Sequence, residues 1–391
     1  ARNDGCAVAR RNEVKELGVG MGAPWFKFKD LAKQHGIVAY SSNYALYADM
    51  SNRVMTILRQ YSPDQEVYSI DESFLDLTSF NSRDLLQYGQ AMRQQILQWT
   101  GLPVCVGIAS TKTLAKLANH CAKKRPAFDG VCNFNQMPIE PINQMLSEIN
   151  VGEVWGVGKK LALKLQVLGI NSALDLKRAN PERLRALFSV VMEKTIRELN
   201  GTVCIEMEEI APPKKQIVSS RSFGYPVTDY NSLAESITLY VSRAAEKLRK
   251  QNSFAGSIYI YIRTSPFKEN QPFYSNGLSI PLPTASDDTR LLVNASLWGL
   301  KQIFKPNYNY AKAGVMLSEL VDAEGIQTDL FSQVQISLKS SKLMGVLDGI
   351  NKKMGKESIK LAREGFKRPW KMKQGNKSPC YTTKWNDLIK V

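Results

Sequence analysis

The chain has 391 residues, 43% of them hydrophobic, and its lysines and arginines outnumber its aspartates and glutamates by 52 to 36. This length and apolar content exclude a disordered chain and favour several packed domains, while the absence of an apolar run of about 18 residues or of a signal-peptide core favours a cytoplasmic protein without a membrane segment. The net charge of +16 attracts polyanions, so nucleic acid is the favoured partner.

The first 130 residues predict helices and strands of an α+β sheet. Hydrophobic spacing indicates helices at 6–17, 44–61, 85–99 and 110–126, and short apolar runs indicate strands in "EVYSI", "FLDLT" and "PVCVGIA". We expect the last strand to lie beside the hairpin made by the first two. The helix at 110–126 places Lys112, Lys116, Lys123 and Lys124 on its polar positions, where a solvated basic face is the simplest interpretation.

The rest of the chain predicts a helical region, a linker and a second α+β unit. Residues 153–170 read as a helix, a Gly-x-Gly turn and another helix, and adjacent prolines near 212 indicate a linker. In "SIYIYIR", isoleucines alternate with Tyr259, Tyr261 and Arg263, which predicts a sheet with a basic and aromatic outer face. Periodicity weakens from about Val321, and residues 351–391 carry 12 Lys/Arg against 3 Asp/Glu.

Two adjacent acids, Asp71 and Glu72, are predicted to occupy or border the hairpin turn. Neighbouring carboxylates repel one another, and a divalent cation allows both to stay ionised. Oxygen ligands favour Mg²⁺, which commonly takes one or two carboxylates together with substrate phosphates, so phosphoryl or nucleotidyl transfer is the matching chemistry. Two solvated acids in a turn are the alternative.

A second feature is Gly156-x-Gly158, followed by Lys159 and Lys160. A dinucleotide-binding turn would need a preceding strand and a third glycine, whereas flanking helices favour a helix-hairpin-helix. In that motif, backbone N–H groups at a helix N-terminus hold a DNA phosphate without reading sequence.

Two further patterns bear on partners and metals. "QTDLF", with Gln327, Leu330 and Phe331, is typical of a short motif that docks into an apolar pocket of a partner, although a simple turn of the tail is the alternative. The cysteines form no C-x-x-C pair, and the two histidines lack metal-ligand spacing, which argues against a zinc site.

Five segments together carry a family resemblance. In chain order, "SNYALYADMSNRVM", "YSIDESFLDL", "GIASTKTLAKLANHCAKK", "VWGVGKK" and "KLQVLGI" resemble the Y-family DNA polymerases. "SRSFG", "SPF", "AKAGVML" and "SPCYTTKW" are similar to its UmuC-like branch, which includes MucB and RumB. The resemblance implies a multi-domain α+β right hand with a mixed-sheet palm, small fingers, a helix-hairpin-helix thumb and an α+β little finger.

The resemblance also implies domain bounds. Fingers are expected at 1–43, palm at 44–135, thumb at 136–207, linker at 208–216 and little finger at 217–319. The remaining residues, 320–391, would form a tail with a clamp-binding motif and a basic region for DNA or protein partners.

The same resemblance assigns roles to residues. It implies that Asp71 and Glu72 are catalytic and bind metal, with two Mg²⁺ ions in a complete site, and that Lys123, Lys15 and Asn12 contact the incoming deoxynucleoside triphosphate. It implies DNA contacts for Gly156, Gly158, Lys159, Lys160 and Arg221. Gln327, Leu330 and Phe331 would bind a sliding clamp, with Thr328 where leucine is more usual.

The implied function is error-prone translesion synthesis in the SOS response, on primer-template DNA and near the nucleoid, with a UmuD′-like dimer and RecA as partners. Family members begin with a strand that carries another metal-binding aspartate and then an aromatic residue that excludes ribonucleotides, and the match starts after both. We therefore expect that Ala1 is not the natural start or that the gene is truncated, and that the chain as written is impaired or inactive. The alternatives are a catalytically dead DNA-binding scaffold and, less in keeping with the later segments, another palm-type nucleotidyl transferase such as a cyclase.

Overall fold

The computed structural model describes residues 5–80, 84–208, 212–268, 270–322 and 338–388. The chain forms two compact units, one made of Ala1–Ser42 and Pro212–Ser378 and the other of Asn43–Ala211 and Pro379–Val391. Helices and strands are mixed in both, as expected for an α+β protein. Within the described ranges, no helix is long and apolar enough to cross a membrane.

The helices and strands are numbered in chain order. The helices are α1 Asn12–Glu16, α2 Trp25–Gln34, α3 Tyr44–Leu58, α4 Leu85–Thr100, α5 Lys112–Lys124, α6 Ile139–Glu148, α7 Lys159–Val167, α8 Ala173–Arg178, α9 Pro181–Leu187, α10 Val190–Leu199, α11 Tyr230–Lys250, α12 Thr289–Ile303 and α13 Leu338–Met354. The strands are β1 Gln65–Val67, β2 Ser73–Leu75, β3 Val106–Ile108, β4 Val131–Asn133, β5 Ile217–Val227, β6 Ser253–Thr264, β7 Ser275–Ser286 and β8 Tyr310–Asp322.

Polar side chains start several of these helices. Thr111 caps α5 by accepting a hydrogen bond from the Leu114 amide, and Asp84 caps α4 in the same manner. Such caps satisfy amides that the first helical turn leaves without a partner. Helix α1 is shorter than the predicted helix at 6–17, because Cys6 forms a backbone bridge with Pro24 instead of joining the helix.

The hairpin and the strand expected beside it belong to different sheets. β1 and β2 pair antiparallel with each other, which confirms the hairpin, whereas β3 pairs in parallel with β4. Helix α5 provides the crossover that a parallel pair requires. The glycine in β3 allows this packing, since a Cβ on Gly107 would lie 2.2 Å from the backbone nitrogen of Asn119 in α5. The prediction that β3 lies beside the hairpin is therefore wrong, because β3 forms its backbone hydrogen bonds with β4 and not with β1 or β2.

The unit made of Ala1–Ser42 and Pro212–Ser378 contains an antiparallel sheet in the order β5-β8-β6-β7, with α11 and α12 packed on one face. Ile258, Ile260 and Ile262 are buried towards the helices. Tyr259 and Tyr261 alternate with them and stack on the opposite face with ring centroids 6.0 Å apart. The predicted alternation of β6 is confirmed.

Residues 338–388 contain more regular structure than the weak periodicity of their sequence indicates. Helix α13 is held to α11 by a bidentate ion pair between Arg249 and Asp348, with N–O distances of 2.7 and 2.9 Å. Trp370 is buried beside Tyr240, and its carbonyl accepts a hydrogen bond from the Gly224 amide at 3.0 Å. Polar contacts and the aromatic anchor Trp370 act beside the buried Met344, so the apolar stripe is narrower than the one that sequence patterns detect.

Candidate active site

The two adjacent acids lie in the loop of the β1–β2 hairpin. Residues 68–72 join the strands, and the amides of Tyr68 and Ser69 both donate to the carbonyl oxygen of Glu72 at 3.1 Å. Asp71 is exposed, and its carboxylate accepts a hydrogen bond from the Ser69 hydroxyl at 2.6 Å. The prediction that the acids occupy the hairpin turn is confirmed.

A lysine from α5 contacts the second acid. The Glu72 Oε1 atom accepts a hydrogen bond from Lys116 Nζ, in an ion pair whose side chains are 38% and 20% exposed, respectively. The same ammonium lies 5.4 Å from the centroid of the Tyr68 ring, within range of a cation–π attraction. Trp155 holds that ring by donating from Nε1 to the Tyr68 hydroxyl at 3.0 Å.

A buried ion pair anchors the base of the hairpin. Lys112 Nζ donates to Glu66 Oε2 and to the Glu206 carbonyl, and the two charged side chains are 7% and 9% exposed. The Glu208 amide also donates to Glu66 Oε2, at 2.8 Å. The interpretation of Lys112 as part of a solvated face is wrong, because β1 and the 206–208 segment supply its acceptors.

Glu198 ties α10 to the start of α5. Its fully buried carboxylate accepts hydrogen bonds from the Thr113 amide and hydroxyl at 3.0 and 2.9 Å, and from the Cys204 and Ile205 amides at 2.9 and 3.0 Å. The Thr111 hydroxyl donates to the Glu198 carbonyl at 2.9 Å. The first turn of the helix that carries Lys116 is thus fixed by side-chain and backbone hydrogen bonds.

Lys123 lies exposed in the last turn of α5. It follows Lys116 by seven positions, about two helical turns, so both side chains project from similar sides of the helix. Between them, burial lowers the pKa of His120, against the opposing effect of the nearby Glu153 carboxylate. This face of α5 therefore carries its positive charge on lysines rather than on histidine.

The Gly-x-Gly turn precedes α7 but follows no α-helix directly. A 3₁₀ turn, Val151–Glu153, stands where the first helix was expected, and the Asn150 side chain caps its start by accepting a hydrogen bond from the Gly152 amide. Gly156 has φ +86°, which favours glycine, and the space around it is open.

No side chain caps the backbone amides at the start of α7. Gly158 is the N-cap, and no side chain caps the first turn, which carries the exposed Lys159 and Lys160. Such a terminus suits an anion, since its free amides and the helix dipole point outward.

Three of the remaining predicted residues lie in the other unit. Lys15 Nζ donates to the Asn12 side-chain oxygen at 3.1 Å within α1, so the two are brought together and both are exposed. Arg221 pairs in register with Ala313 of β8, which in turn pairs with the buried Ile262 of β6, so Arg221 lies on the helix-bearing side of the sheet rather than on the face with Tyr261.

Gln327, Leu330 and Phe331 lie outside the described residues.

The donor set of the hairpin fits a hard divalent cation. Within the described part of the chain, no group of three or more His, Cys, Asp or Glu side chains is arranged for a metal ion. The hairpin offers two carboxylates, which matches the habit of Mg²⁺ to combine one or two protein carboxylates with water and substrate phosphates. An ammonium already stands against Glu72, which shows that the position accepts a cation.

Sequence reasoning did not identify Glu66, Glu198 or Trp155 as supports of this site. An acid in a short strand and another at the end of a helix resemble ordinary surface residues in the sequence. The sole available signal was their neighbourhood, since Glu66 lies in the strand before the two acids and Trp155 precedes the Gly-x-Gly turn. Their partners are distant in sequence, so only the folded chain pairs them.

Three segments of the chain match known protein-domain families. Residues 1–120 match the impB/mucB/samB family, residues 214–330 match its C-terminal domain, and residues 341–391 match a domain of unknown function, DUF4113. The chain is 45% identical to Protein UmuC of Salmonella typhimurium strain LT2, over 100% of this chain and 93% of the relative. It is 44% identical to Protein ImpB of Salmonella typhimurium, over 99% of this chain and 92% of the relative.

A solved structure shows the same fold. The Y-family DNA polymerase chimera Dbh-Dpo4(243-245)-Dbh superposes with a TM-score of 0.62 at 22% identity, covering 82% of this chain and 89% of its own. The identity to full-length relatives and the matched domains settle the family. The chain belongs to the impB/mucB/samB family and is a UmuC-like, DNA-directed DNA polymerase of the Y family.

Proposed function

We propose that the chain carries out error-prone translesion synthesis by two-metal nucleotidyl transfer, with Asp71 and Glu72 as metal-binding residues and Mg²⁺ as the metal. The observation that carries this proposal is the placement of both carboxylates in one hairpin loop, with Glu72 against a cation. Bound Mg²⁺ would lower the pKa of the attacking hydroxyl and neutralise the leaving phosphate. The chain's own residues hold and orient the two carboxylates.

The proposal assigns binding of the substrates to other parts of the chain. We assign palm to 44–135, thumb to 136–207, fingers to 1–43, the linker to 208–216 and little finger to 217–319. Exposed Lys123, together with Lys15 and Asn12, would contact the triphosphate.

The DNA contacts are assigned to the helical region and the sheet. The first turn of α7, with Gly156, Gly158, Lys159 and Lys160, would hold a DNA phosphate. Arg221 remains a proposed DNA contact, from the helix-bearing side of its sheet.

The cellular role is proposed from the UmuC-like resemblance. It comprises action in the SOS response at the nucleoid, with a UmuD′-like dimer, RecA and a sliding clamp bound through Gln327, Leu330 and Phe331. Clamp tethering would raise the effective concentration at the primer end.

Single-nucleotide primer extension with Mg²⁺ tests the chemistry. The parent chain is compared with Asp71→Asn and with Asp64→Asn, a matched control at an exposed position before β1. Asp71→Asn should lower the incorporation rate on the order of a thousandfold, because metal-ion stabilisation of the transition state is worth several kcal/mol. The control should retain the parental rate.

DNA binding measured in parallel separates the two candidate functions. Equal affinity of the parent and Asp71→Asn for primer-template, together with loss of incorporation in the variant, would support the polymerase proposal. Salt-sensitive binding without incorporation by any of the proteins would refute it and favour the scaffold.

A further inference from the structure

We propose that Lys116 is an internal counter-ion that occupies Glu72 until a divalent cation arrives, and that it thereby sets the metal affinity of the hairpin. The inference rests on the proposed function, in which Asp71 and Glu72 hold the metal. It assigns Lys116 as a positioning residue, because it acts on the reaction through Glu72.

Two separate elements, the hairpin loop and helix α5, bring the Lys116 ammonium and the Glu72 carboxylate together. Glu72 comes from the hairpin loop, and Lys116 comes from the middle of α5, whose first turn is fixed by Glu198. The Tyr68 ring bounds the ammonium at 5.4 Å, and Trp155 packs edge-on against that ring at 5.3 Å. A carboxylate on one side and an aromatic face on another define a cation-binding position.

A comparison with Lys112 shows why the Lys116–Glu72 pair can separate when a metal binds. Lys112, one helical turn earlier, forms an equivalent pair with Glu66 and lies 5.2 Å from the Phe74 ring. That pair is over nine-tenths buried and is tied to the 206–208 backbone, so separating it would leave charges without water. The Lys116–Glu72 pair is more exposed, so its ammonium can move into solvent at a lower cost than that of Lys112.

Competition follows from electrostatics. A divalent cation on Glu72 repels the ammonium, so the cation must displace Lys116 or accept a weaker bond. A partly exposed ion pair is worth on the order of 1 kcal/mol, which corresponds to about a fivefold factor in the metal dissociation constant. Linkage requires the reverse effect too, so bound metal weakens the Lys116–Glu72 pair by the same factor.

The sign of the effect separates this role from simple structural support. If Lys116 only held the loop in shape, removal of its charge would disorder Glu72 and weaken metal binding. If Lys116 competes with the metal, removal of its charge strengthens metal binding.

Calorimetric titration with Mn²⁺, without DNA or nucleotide, makes the measurement on the full chain. The variants are Lys116→Gln, Lys116→Arg, which keeps the charge, and Lys124→Gln, which removes the same charge from an exposed position on the same helix. We expect about fivefold tighter Mn²⁺ binding for Lys116→Gln and parental affinity for the other two. Weaker or unchanged binding in Lys116→Gln would overturn the proposal, as would equal tightening in Lys124→Gln.

Asp71→Asn distinguishes failure of this inference from failure of the proposed function. If Asp71→Asn leaves Mn²⁺ binding unchanged, the hairpin is not the metal site and both proposals fail. If Asp71→Asn abolishes binding while Lys116→Gln matches the parent, only the role of Lys116 fails.

Amine labelling gives an independent readout. The acylation rate of Lys116, followed by peptide mass spectrometry, should rise when Mg²⁺ is added, because the displaced ammonium becomes accessible. Lys112 should stay protected in both conditions, since its pair is buried. A Lys116 rate that is insensitive to Mg²⁺ would contradict displacement.

Discussion

Glu198→Gln tests whether a buried carboxylate positions helix α5, which carries the lysine that contacts the β1–β2 hairpin. Glutamine has nearly the same shape but offers one acceptor oxygen instead of two. If its oxygen stays towards the Cys204 and Ile205 amides, its NH₂ group faces Thr113, whose hydroxyl can turn to accept from it. Only the Thr113 amide then loses its acceptor. In the opposite rotamer, the Cys204 and Ile205 amides would both lose theirs.

The expected cost follows from this count. An unpaired buried donor costs about 1–3 kcal/mol, and each retained hydrogen bond weakens by up to about 1 kcal/mol when the acceptor loses its charge. Burying an amide is easier than burying a carboxylate, which offsets part of the loss. We expect a net decrease of about 2 kcal/mol in the free energy of unfolding, equivalent to a midpoint shift of about 1 M in urea.

Urea unfolding followed by circular dichroism provides the assay, with Glu148→Gln as the matched control. The Glu148 side chain is 54% exposed and pairs with Arg125, itself 35% exposed, so the control should change stability by less than about 1 kcal/mol. Hydrogen exchange should also become faster at the Cys204 and Ile205 amides and at the start of α5. Equal midpoints and unchanged exchange for Glu198→Gln would refute the positioning argument.

Two further predictions concern packing and reactivity. Gly224→Ala places a Cβ about 2.3 Å from the Lys371 carbonyl oxygen, so the 370–373 segment should move off β5 and be cleaved faster by trypsin, whereas Gly20→Ala, which meets open space, should not change the cleavage rate. Burial raises the pKa of the Cys132 thiol to about 12, so at pH 8 only about one molecule in ten thousand carries the reactive thiolate. Iodoacetamide should therefore label the half-buried Cys204 well before Cys132, and equal labelling rates in the folded protein would contradict this.

Local patterns were sufficient where a segment's partners are close in sequence or its periodicity is strong. The hairpin around Asp71 and Glu72, the helix α5 and the alternating strand β6 follow from turn residues and from periods of 3.6 and 2. The order of several such segments also carried the family resemblance. Conversely, α13 was missed, because the Arg249–Asp348 ion pair holds it alongside the buried Met344, and its apolar period is weak.

Sequence alone therefore determined that this protein has two acids in a hairpin loop, a basic helix after them and the segments of a Y-family polymerase. The tertiary structure decided which charges meet. Lys112 and Lys116 differ by one helical turn and look alike in sequence, yet one is buried against Glu66 and the other stands partly exposed against Glu72. Such pairings join residues more than forty positions apart, and they depend on how elements pack, which short-range periodicity does not encode.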